Sequence, residues 1–227
     1  MTGTGVIDDY VAGLSRTLRG PRRPKLDLVT EARDSLLDTA EALEHDGLPR
    51  AEAELAAVEE FGSIEEIAPG YQEELSISAG RRLAALLFVS VPLTTLAWSM
   101  VWRFYPDDPT AYTRWPDWFL PVSRGLDVLQ LLVGLLGGVA LFALGRGLRR
   151  IRRPRLVTRA LAMLVWVMLP VTIGLGMTLM YGSNHPSGLA TYPLSLGAEL
   201  LSSVFACVQL YGATRCLRIT RRFPVPA

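Results

Sequence analysis

The chain has 227 residues, half of them hydrophobic, and its formal net charge of +1 at pH 7 is the balance of two oppositely charged parts. Residues 1–80 carry 17 acidic and 7 basic residues, a net charge of −10, and residues 81–227 carry 5 acidic and 16 basic residues, a net charge of +11. Together with the uneven placement of the hydrophobic residues, this division predicts an acidic, water-compatible head followed by a basic, membrane-embedded body. The nine-residue separation of Cys207 and Cys216 on one predicted helix excludes a disulfide between them.

Apolar residues recur at helical spacing near the start of the chain. They predict an amphipathic helix over Val6–Leu18 and, after the proline-bearing turn PRRPK, a second helix over Leu26–His45. Gly47 suits the position just beyond the second helix, where a left-handed backbone conformation ends it. The predicted apolar stripe of that helix is Val29, Ala32, Leu36, Ala40 and Leu43, and its acidic residues away from the stripe are Glu31, Asp34, Asp38, Glu41 and Glu44.

Two further short helices are predicted before the first long apolar run. Pro49 suits the first turn of a third helix, which Gly62 closes. The predicted apolar face of this third helix is Leu55, Val58 and Phe61. The segment Ser63–Glu66 matches a capping box and therefore predicts the start of a fourth helix. Pro69-Gly70 is expected to break or kink that helix, since proline donates no backbone hydrogen bond, before helix resumes over Tyr71–Ser78.

The order of three segments in this region, YVAGLSRTL, EARDSLLDTAEAL and AEAELAAVEEFGSIEEIAPGY, resembles the permease-prefix, or HAAS-type, signalling domain of bacteria. The most specific piece is A-x-x-E-F-G-x-x-E-E-I-A, formed by Ala57, Glu60, Phe61, Gly62, Glu65, Glu66, Ile67 and Ala68. The resemblance covers residues 5–75, and the strong preference for arginine over lysine fits a GC-rich, actinobacterial genome. Such domains are commonly followed by several membrane helices, although this chain does not resemble a complete FtsX-like permease.

The resemblance also implies what this region does. Permease-prefix domains are often encoded beside PadR-like winged-helix transcription regulators or fused to transporter permease subunits. We therefore expect a partner-binding surface at five residues, Glu59, Glu60, Phe61, Glu65 and Glu66. The alternative is structural, with Phe61 as a core aromatic, Gly62 as a helix cap and the acidic face merely solvated.

Four uncharged or nearly uncharged apolar runs follow, each close to the length that crosses a bilayer. The predicted spans lie near 83–104, 126–145, 160–181 and 193–214. We therefore predict an all-α protein with two domains: residues 1–80 form a small cytoplasmic helical bundle, and residues 81–227 form a four-span helical transmembrane bundle.

Arginines flank these runs unevenly. The stretch Gly145–Arg159 carries seven arginines and no acid between the second and third spans. Because basic residues resist translocation, the arginines predict a multi-pass protein of the cell membrane with both termini in the cytoplasm. The residues expected to set this topology and contact anionic lipids are Arg81, Arg82, Arg146, Arg149, Arg150, Arg152, Arg153 and Arg155. Residues 1–80 would share that side and are hypothesised to lean on this arginine loop through salt-screened charge pairs.

Several residues within the spans suggest how the helices pack. Pro92 predicts a kink, and Gly134-x-x-x-Gly138 predicts the close approach of another helix. Trp98 is expected among the aromatic residues of the outer headgroup zone. Glu199 is the single acid within the fourth span, where a carboxylate is costly and indicates a functional site. The alternative for Glu199 is protonation, or a hydrogen bond within the bundle near the outer headgroups.

No pattern of catalytic strength is present, so we expect neither an enzyme nor a bound cofactor. The chain lacks a phosphate-binding loop, a dinucleotide glycine fingerprint and Cys/His metal spacing. Its aromatics do not interleave with its arginines, so direct nucleic-acid binding is not expected. The predicted function is a membrane-anchored regulatory protein whose helical head binds a soluble partner, a PadR-like regulator by resemblance. The alternative is an accessory or permease subunit of a transporter that works with an ATPase.

Overall fold

The computed structural model describes residues 5–104, 116–145, 154–182 and 193–220. Helix accounts for 92% of these residues and none of them forms a strand, which confirms the all-α prediction. The helices, in chain order, are α1 (Val6–Thr17), α2 (Arg22–His45), α3 (Arg50–Phe61), α4 (Ile64–Phe104), α5 (Phe119–Gly145), α6 (Pro154–Gly182) and α7 (Pro193–Ile219).

The chain divides into two compact units. Unit 1 is Met1–Ala79 and unit 2 is Gly80–Ala227. The 41-residue helix α4 contributes to both, so residues 64–79 pack in unit 1 and residues 80–104 pack in unit 2. Since α4 is continuous across the division, unit 1 is joined to the first long apolar run without an intervening loop.

Unit 1 is built around the apolar stripe of α2. Val29, Ala32, Leu36 and Ala40 are buried, as the helical spacing predicts, and Leu43 packs against them. Buried residues of α1, α3 and α4 complete the same core: Ile7, Tyr10, Leu14, Ala57, Ala68 and Leu75. The acidic residues of α2 that lie away from this stripe are all exposed, so α2 has one apolar and one acidic face.

Helix α2 begins four residues earlier than the sequence suggests. Arg22 is its first residue, with Pro21 as the N-cap, so most of the PRRPK segment is helical rather than a turn. Pro24 is tolerated because it lies in the first turn, where the backbone N–H groups have no partner within the helix. At the other end Gly47 has a φ of +101°, in agreement with its predicted role as a helix-terminating residue.

The expected break at Pro69-Gly70 is wrong, because α4 runs without interruption from Ile64 to Phe104. Pro69 is the sixth residue of the helix, so it removes one bond near a terminus that is already well anchored. The backbone N–H groups of Glu66 and Ile67 both donate to the Ser63 carbonyl oxygen, each at 3.1 Å. The short fourth helix and the first predicted span are therefore one element.

The predicted apolar face of α3 is partly wrong. Leu55 has 56% of its surface exposed, whereas the small residues Ala53 and Ala57 are buried. Val58 and Phe61 pack against the core as predicted. An alanine face lets the backbone of α3 approach its neighbours closely, and the rotation that achieves this turns Leu55 outward.

Unit 2 contains four antiparallel helices. Leu87 of α4 lies against Gly137 of α5, and the Thr95 hydroxyl of α4 bonds to Gln130 of α5, so the two helices run in opposite directions. Helix α7 runs antiparallel to α4 in the same way, because Leu83 lies by Gly212 and Trp98 bonds to Ser202. Helix α6 packs between α5 and α7. Each of the four predicted spans lies within one of these helices.

The glycines of α5 bring that helix close to α4 in the same chain. A Cβ atom at Gly137 would lie 2.9 Å from Leu87 Cβ and 3.2 Å from the Phe88 backbone nitrogen. At Gly138 it would lie 2.9 Å from the Phe88 ring, whereas at Gly134 the nearest atom is Val91 Cγ1 at 3.5 Å. The predicted close approach is present, with Gly137 rather than Gly134 at its tightest point.

The outer surface of unit 2 is apolar. Large side chains such as Leu131, Val139 and Phe142 of α5 are each more than 60% exposed. All four helices are long and apolar enough to cross a bilayer, with no more than 22% of each apolar window buried within the protein. An apolar exterior around an interior rich in small residues is typical of a multi-pass membrane protein.

Candidate functional site

The corner between α3 and α4 contains the residues for which partner binding is predicted. Gly62 ends α3 with a φ of +102°, a conformation that strains any residue with a side chain. The Tyr10 hydroxyl donates a hydrogen bond of 2.9 Å to the Gly62 carbonyl oxygen. The Tyr10 and Phe61 rings meet edge to face, with centroids 5.9 Å apart. Phe61 therefore packs against α1 at this corner. This contact agrees with the alternative in which Phe61 is a core aromatic residue.

Ser63 and Glu66 form half of the predicted capping box at the start of α4. The Glu66 carboxylate accepts the Ser63 backbone N–H at 3.2 Å, as the motif requires. The Ser63 hydroxyl, however, donates to the same carboxylate at 3.0 Å instead of accepting the N–H of Glu66. That N–H bonds to the Ser63 carbonyl oxygen. Glu66 therefore stabilises the helix terminus in addition to contributing negative charge.

The carboxylates at this corner also act on Tyr10. Burial is the main reason that the pKa of Tyr10 lies above its usual value near 10. The acidic groups of Tyr71, Glu65 and Glu66 raise this pKa further, because a nearby negative charge disfavours the phenolate. The α3–α4 corner thus combines a buried, hydrogen-bonded tyrosine with an acidic rim.

The rim itself is open to solvent. Glu59, Glu60, Glu65 and Glu66 are exposed, and only Glu66 has an assigned hydrogen-bonding role in the corner. Glu59 and Glu60 lie in the last turn of α3 and Glu65 lies in the first turn of α4, so carboxylates from two helices flank Gly62. We call Glu59, Glu60, Glu65 and Glu66 the acidic rim.

A second acidic surface lies on α2. Four carboxylates follow one another at helical spacing along its outward face: Asp27, Glu31, Asp34 and Asp38. Together with Thr30, Ser35 and Thr39 they line a shallow open groove. Both acidic surfaces present carboxylates to solvent and would attract a cationic surface rather than a small apolar ligand.

Basic residues gather at one end of unit 2. The antiparallel arrangement brings together the start of the α4 segment, the end of α5, the start of α6 and the end of α7. The described arginines at this end are Arg81, Arg82, Arg155, Arg159, Arg215 and Arg218. The opposite end has Arg103 and Arg124 together with Asp117, Asp127 and Glu199. The structure thus separates charge along the axis of the bundle.

The arginine loop needs one revision. Helix α6 begins at Pro154, six residues before the predicted span, because proline suits the first turn of a helix. Arg155 and Arg159 are therefore helical, and Arg155 is partly buried. The remaining topology-setting residues, Arg146, Arg149, Arg150, Arg152 and Arg153, lie outside the described residues.

Hydrogen bonds between polar side chains join the helices of unit 2. The Thr95 hydroxyl bonds to Gln130 Oε1 at 2.9 Å, joining α4 to α5. Gln209 Nε2 donates to the fully buried Ser90 hydroxyl at 2.7 Å, joining α7 to α4. The sequence analysis did not predict these two hydrogen bonds. The only signal available to it was a polar residue within an apolar run.

Trp98 and Glu199 do not behave alike, although both were singled out near the outer membrane boundary. Trp98 Nε1 donates to the Ser202 hydroxyl at 3.1 Å, and the ring packs against the cluster of Val101 and Ala198. Trp98 thus makes an interhelical contact between α4 and α7. Glu199, one residue after the buried Ala198, is exposed on the outside of the bundle.

The described residues contain no group of three or more His, Cys, Asp or Glu side chains arranged to hold a metal ion. No protein-family model, curated protein or solved structure matches the chain.

Proposed function

We propose that this chain is a membrane-anchored regulatory protein whose unit 1 binds a soluble partner. One observation carries the proposal: a helical unit with its own apolar core and two exposed acidic surfaces continues through α4 into the first candidate membrane helix. Such a unit is fixed at the membrane while its surface stays open to water. The proposal assigns no catalytic step to the chain.

The partner should present a basic surface to the acidic rim. Charge complementarity of this kind speeds association and selects against acidic partners more than it adds affinity. By resemblance to permease-prefix domains, the partner is a PadR-like transcription regulator. Holding such a regulator at the membrane would remove it from DNA, and a signal acting on the membrane helices would release it.

The same proposal includes the orientation. The six arginines at one end of unit 2 favour the cytoplasmic side of the cell membrane, because arginine resists translocation. The first of them, Arg81 and Arg82, follow unit 1 directly along α4. Unit 1 and the C-terminus would then both be cytoplasmic, where a transcription regulator is available.

The test measures binding of the full chain in lipid nanodiscs to the purified PadR-like regulator encoded nearest to its gene. We expect saturable binding that weakens as salt is raised, since surface charges are screened. The variant Glu59→Gln/Glu60→Gln/Glu65→Gln should weaken binding at least tenfold, because three rim charges worth about 0.5 kcal/mol each amount to that loss. Glu66 is left intact because it caps α4.

The matched control removes the same number of charges from the other acidic surface, in Asp27→Asn/Asp34→Asn/Asp38→Asn. Binding should change little in this control if the acidic rim is the docking surface. An equal loss in both variants would show a general charge effect and reject the rim as a specific surface. Absence of binding by the unaltered chain would reject the regulator as partner.

A further inference from the structure

Unit 1 also has one strongly basic corner, where α1 meets α2. Between Arg16 and Leu26 the sequence contains five cations and no acid, although unit 1 as a whole is acidic. The cations of this basic corner are Arg16, Arg19, Arg22, Arg23 and Lys25. Arg16, Arg22 and Arg23 are exposed, and neither they nor Lys25 form an ion pair within the described part of the chain. The other two cations of the unit, Arg33 and Arg50, are paired with Asp8 and Glu54.

The stability of α2 does not explain these cations. The positive end of a helix dipole is at its N-terminus, where acidic residues stabilise and basic residues destabilise. Helix α2 has no acid in its first turn and begins with Arg22 and Arg23. Because these cations destabilise the helix that carries them, their role is to be sought in a contact outside unit 1.

An exposed apolar residue adjoins the cations. Leu26 is 52% exposed, although Leu28 and Val29, two and three residues further along α2, are buried. An apolar side chain beside several cations fits the boundary between lipid headgroups and acyl chains, where each part has a favourable environment. A single-stranded nucleic acid would instead stack its bases on aromatic residues between the cations, and the segment from Arg16 to Leu26 has none.

The basic corner is firmly held on α4. The side chain of Gln72, only 2% exposed, accepts the Arg19 backbone N–H at 2.9 Å and donates to the Arg19 carbonyl oxygen at 2.6 Å. A Cβ atom at Gly20 would lie 3.0 Å from the Leu75 side chain, so the backbone passes close against the helix. Along α4, Leu75 precedes Leu83, the first residue of the apolar run, by eight residues, or about 12 Å. The corner is thus fixed to the part of unit 1 nearest along the helix to the membrane-spanning segment.

We propose that the basic corner docks on an anionic lipid surface, with Arg22, Arg23 and Lys25 at the headgroups and Leu26 inserted between them. This inference rests on the membrane anchoring in the proposed function but not on the identity of any protein partner. Docking would fix which face of unit 1 points towards the cytosol.

The experiment places a spin label at Leu26→Cys in the full chain, with Cys207 and Cys216 both replaced by alanine. The protein is reconstituted in nanodiscs of phosphatidylcholine, with or without phosphatidylglycerol. We expect phosphatidylglycerol to make the label more accessible to oxygen, which concentrates in lipid, and less accessible to a water-soluble nickel complex. Leu55→Cys is the matched control, because Leu55 is a leucine of unit 1 with a similar exposure of 56%. Its label should stay in water in both lipids.

Variants that remove cations test whether charge causes the docking. In Arg22→Gln/Arg23→Gln/Lys25→Gln the docked fraction should fall by more than tenfold, since each cation near an anionic surface contributes roughly a fivefold preference. Arg33→Gln/Arg50→Gln, which removes two paired cations elsewhere on the unit, should leave docking unchanged, and far-UV circular dichroism checks that each variant keeps its helices.

Equal responses of the labels at positions 26 and 55 would overturn the inference. So would full docking of the triple variant, or a label at position 26 that responds only when the regulator is added, which would show a protein site. None of these results would affect regulator binding at the acidic rim, so the two proposals fail separately.

Discussion

Tyr10 is the single side chain that most directly ties the candidate site to the core of unit 1. Tyr10→Phe removes the hydrogen bond to Gly62 and keeps the ring contact with Phe61. We expect the free energy of unfolding of unit 1 to fall by about 1 kcal/mol at neutral pH, the usual net value of such a bond. Pulse proteolysis in urea, scored by cleavage within residues 1–79, measures this change.

The raised pKa of Tyr10 also predicts that the stability of unit 1 depends on pH. The pKa of Tyr10 is raised in the folded protein, so above pH 10 the unfolded chain loses this proton first and stability falls as pH rises. Tyr10→Phe lacks this contribution, and the difference between variant and parent should therefore shrink above pH 10. Tyr181→Phe is the control, because that ring is 89% exposed and belongs to unit 2. A constant difference between Tyr10→Phe and the parent up to the alkaline limit would contradict the raised pKa.

Gln72 makes a second residue-scale prediction. Gln72→Leu keeps the volume of the side chain but leaves the N–H and carbonyl of Arg19 without the partner that bonds them both. Each of the two hydrogen bonds contributes about 0.5–1.5 kcal/mol net, so their loss should accelerate exchange of the Arg19 amide roughly tenfold. Hydrogen exchange of the full chain in nanodiscs reports this rate. Glu74→Gln, an exposed change two residues along α4, should leave it unaltered.

At the scale of an element, the α4–α5 contact depends on one glycine. In Gly137→Ala the new methyl group meets Leu87 Cβ and two backbone atoms, of Phe88 and Ala84, which no rotamer change can move away. Overpacking of this kind costs about 1–3 kcal/mol. Gly134→Ala is the matched control, since its methyl group would find Val91 at an ordinary 3.5 Å. Unfolding in mixed micelles, followed by tryptophan fluorescence, should separate the variants, and equal stabilities would contradict the contact.

The elements themselves were largely predictable because helical periodicity and apolar length are local properties. The buried stripe of α2 and the terminating role of Gly47 follow from spacing and backbone conformation alone. The continuity of α4 through Pro69 was missed, since a proline near an anchored helix terminus costs less than one in the middle. The outward position of Leu55 was missed because the rotation of α3 is set by close packing against other helices.

The candidate site was less predictable than the fold. The acidic rim could be named from the motif, yet the corner also depends on Tyr10, which lies 52 residues from Gly62 in sequence. The interhelical bonds of unit 2 show the same limit. Ser90 and Gln209 are 119 residues apart, so no local pattern could pair them. Trp98 illustrates the same point, since its partner Ser202 lies 104 residues away in sequence.

At the scale of the whole molecule, the two units of the chain carry charge of opposite sign. Unit 1 contains all but five of the 22 acidic residues, while six of the eight described arginines of unit 2 lie at one end of it. Positive charges at one end of a membrane protein set its orientation in the bilayer, whereas charges on a water-exposed unit favour partners of opposite charge. The same sequence property therefore serves two purposes, orientation in unit 2 and selection of partners in unit 1.

Orientation makes the last prediction, which concerns the arginines between α5 and α6. With both termini in the cytoplasm, alkaline phosphatase fused after Asp108 should be active, and phosphatase fused after Ala227 should be inactive. Replacing the seven arginines of Gly145–Arg159 by glutamine removes the strongest barrier to translocation of that connection, so phosphatase inserted there should gain activity. Replacing Arg103, Arg114 and Arg124 should leave every fusion unchanged, because these cations are predicted to lie outside already. Activity after Ala227 in the unaltered chain would reverse the orientation and, with it, place unit 1 beyond reach of a cytoplasmic regulator.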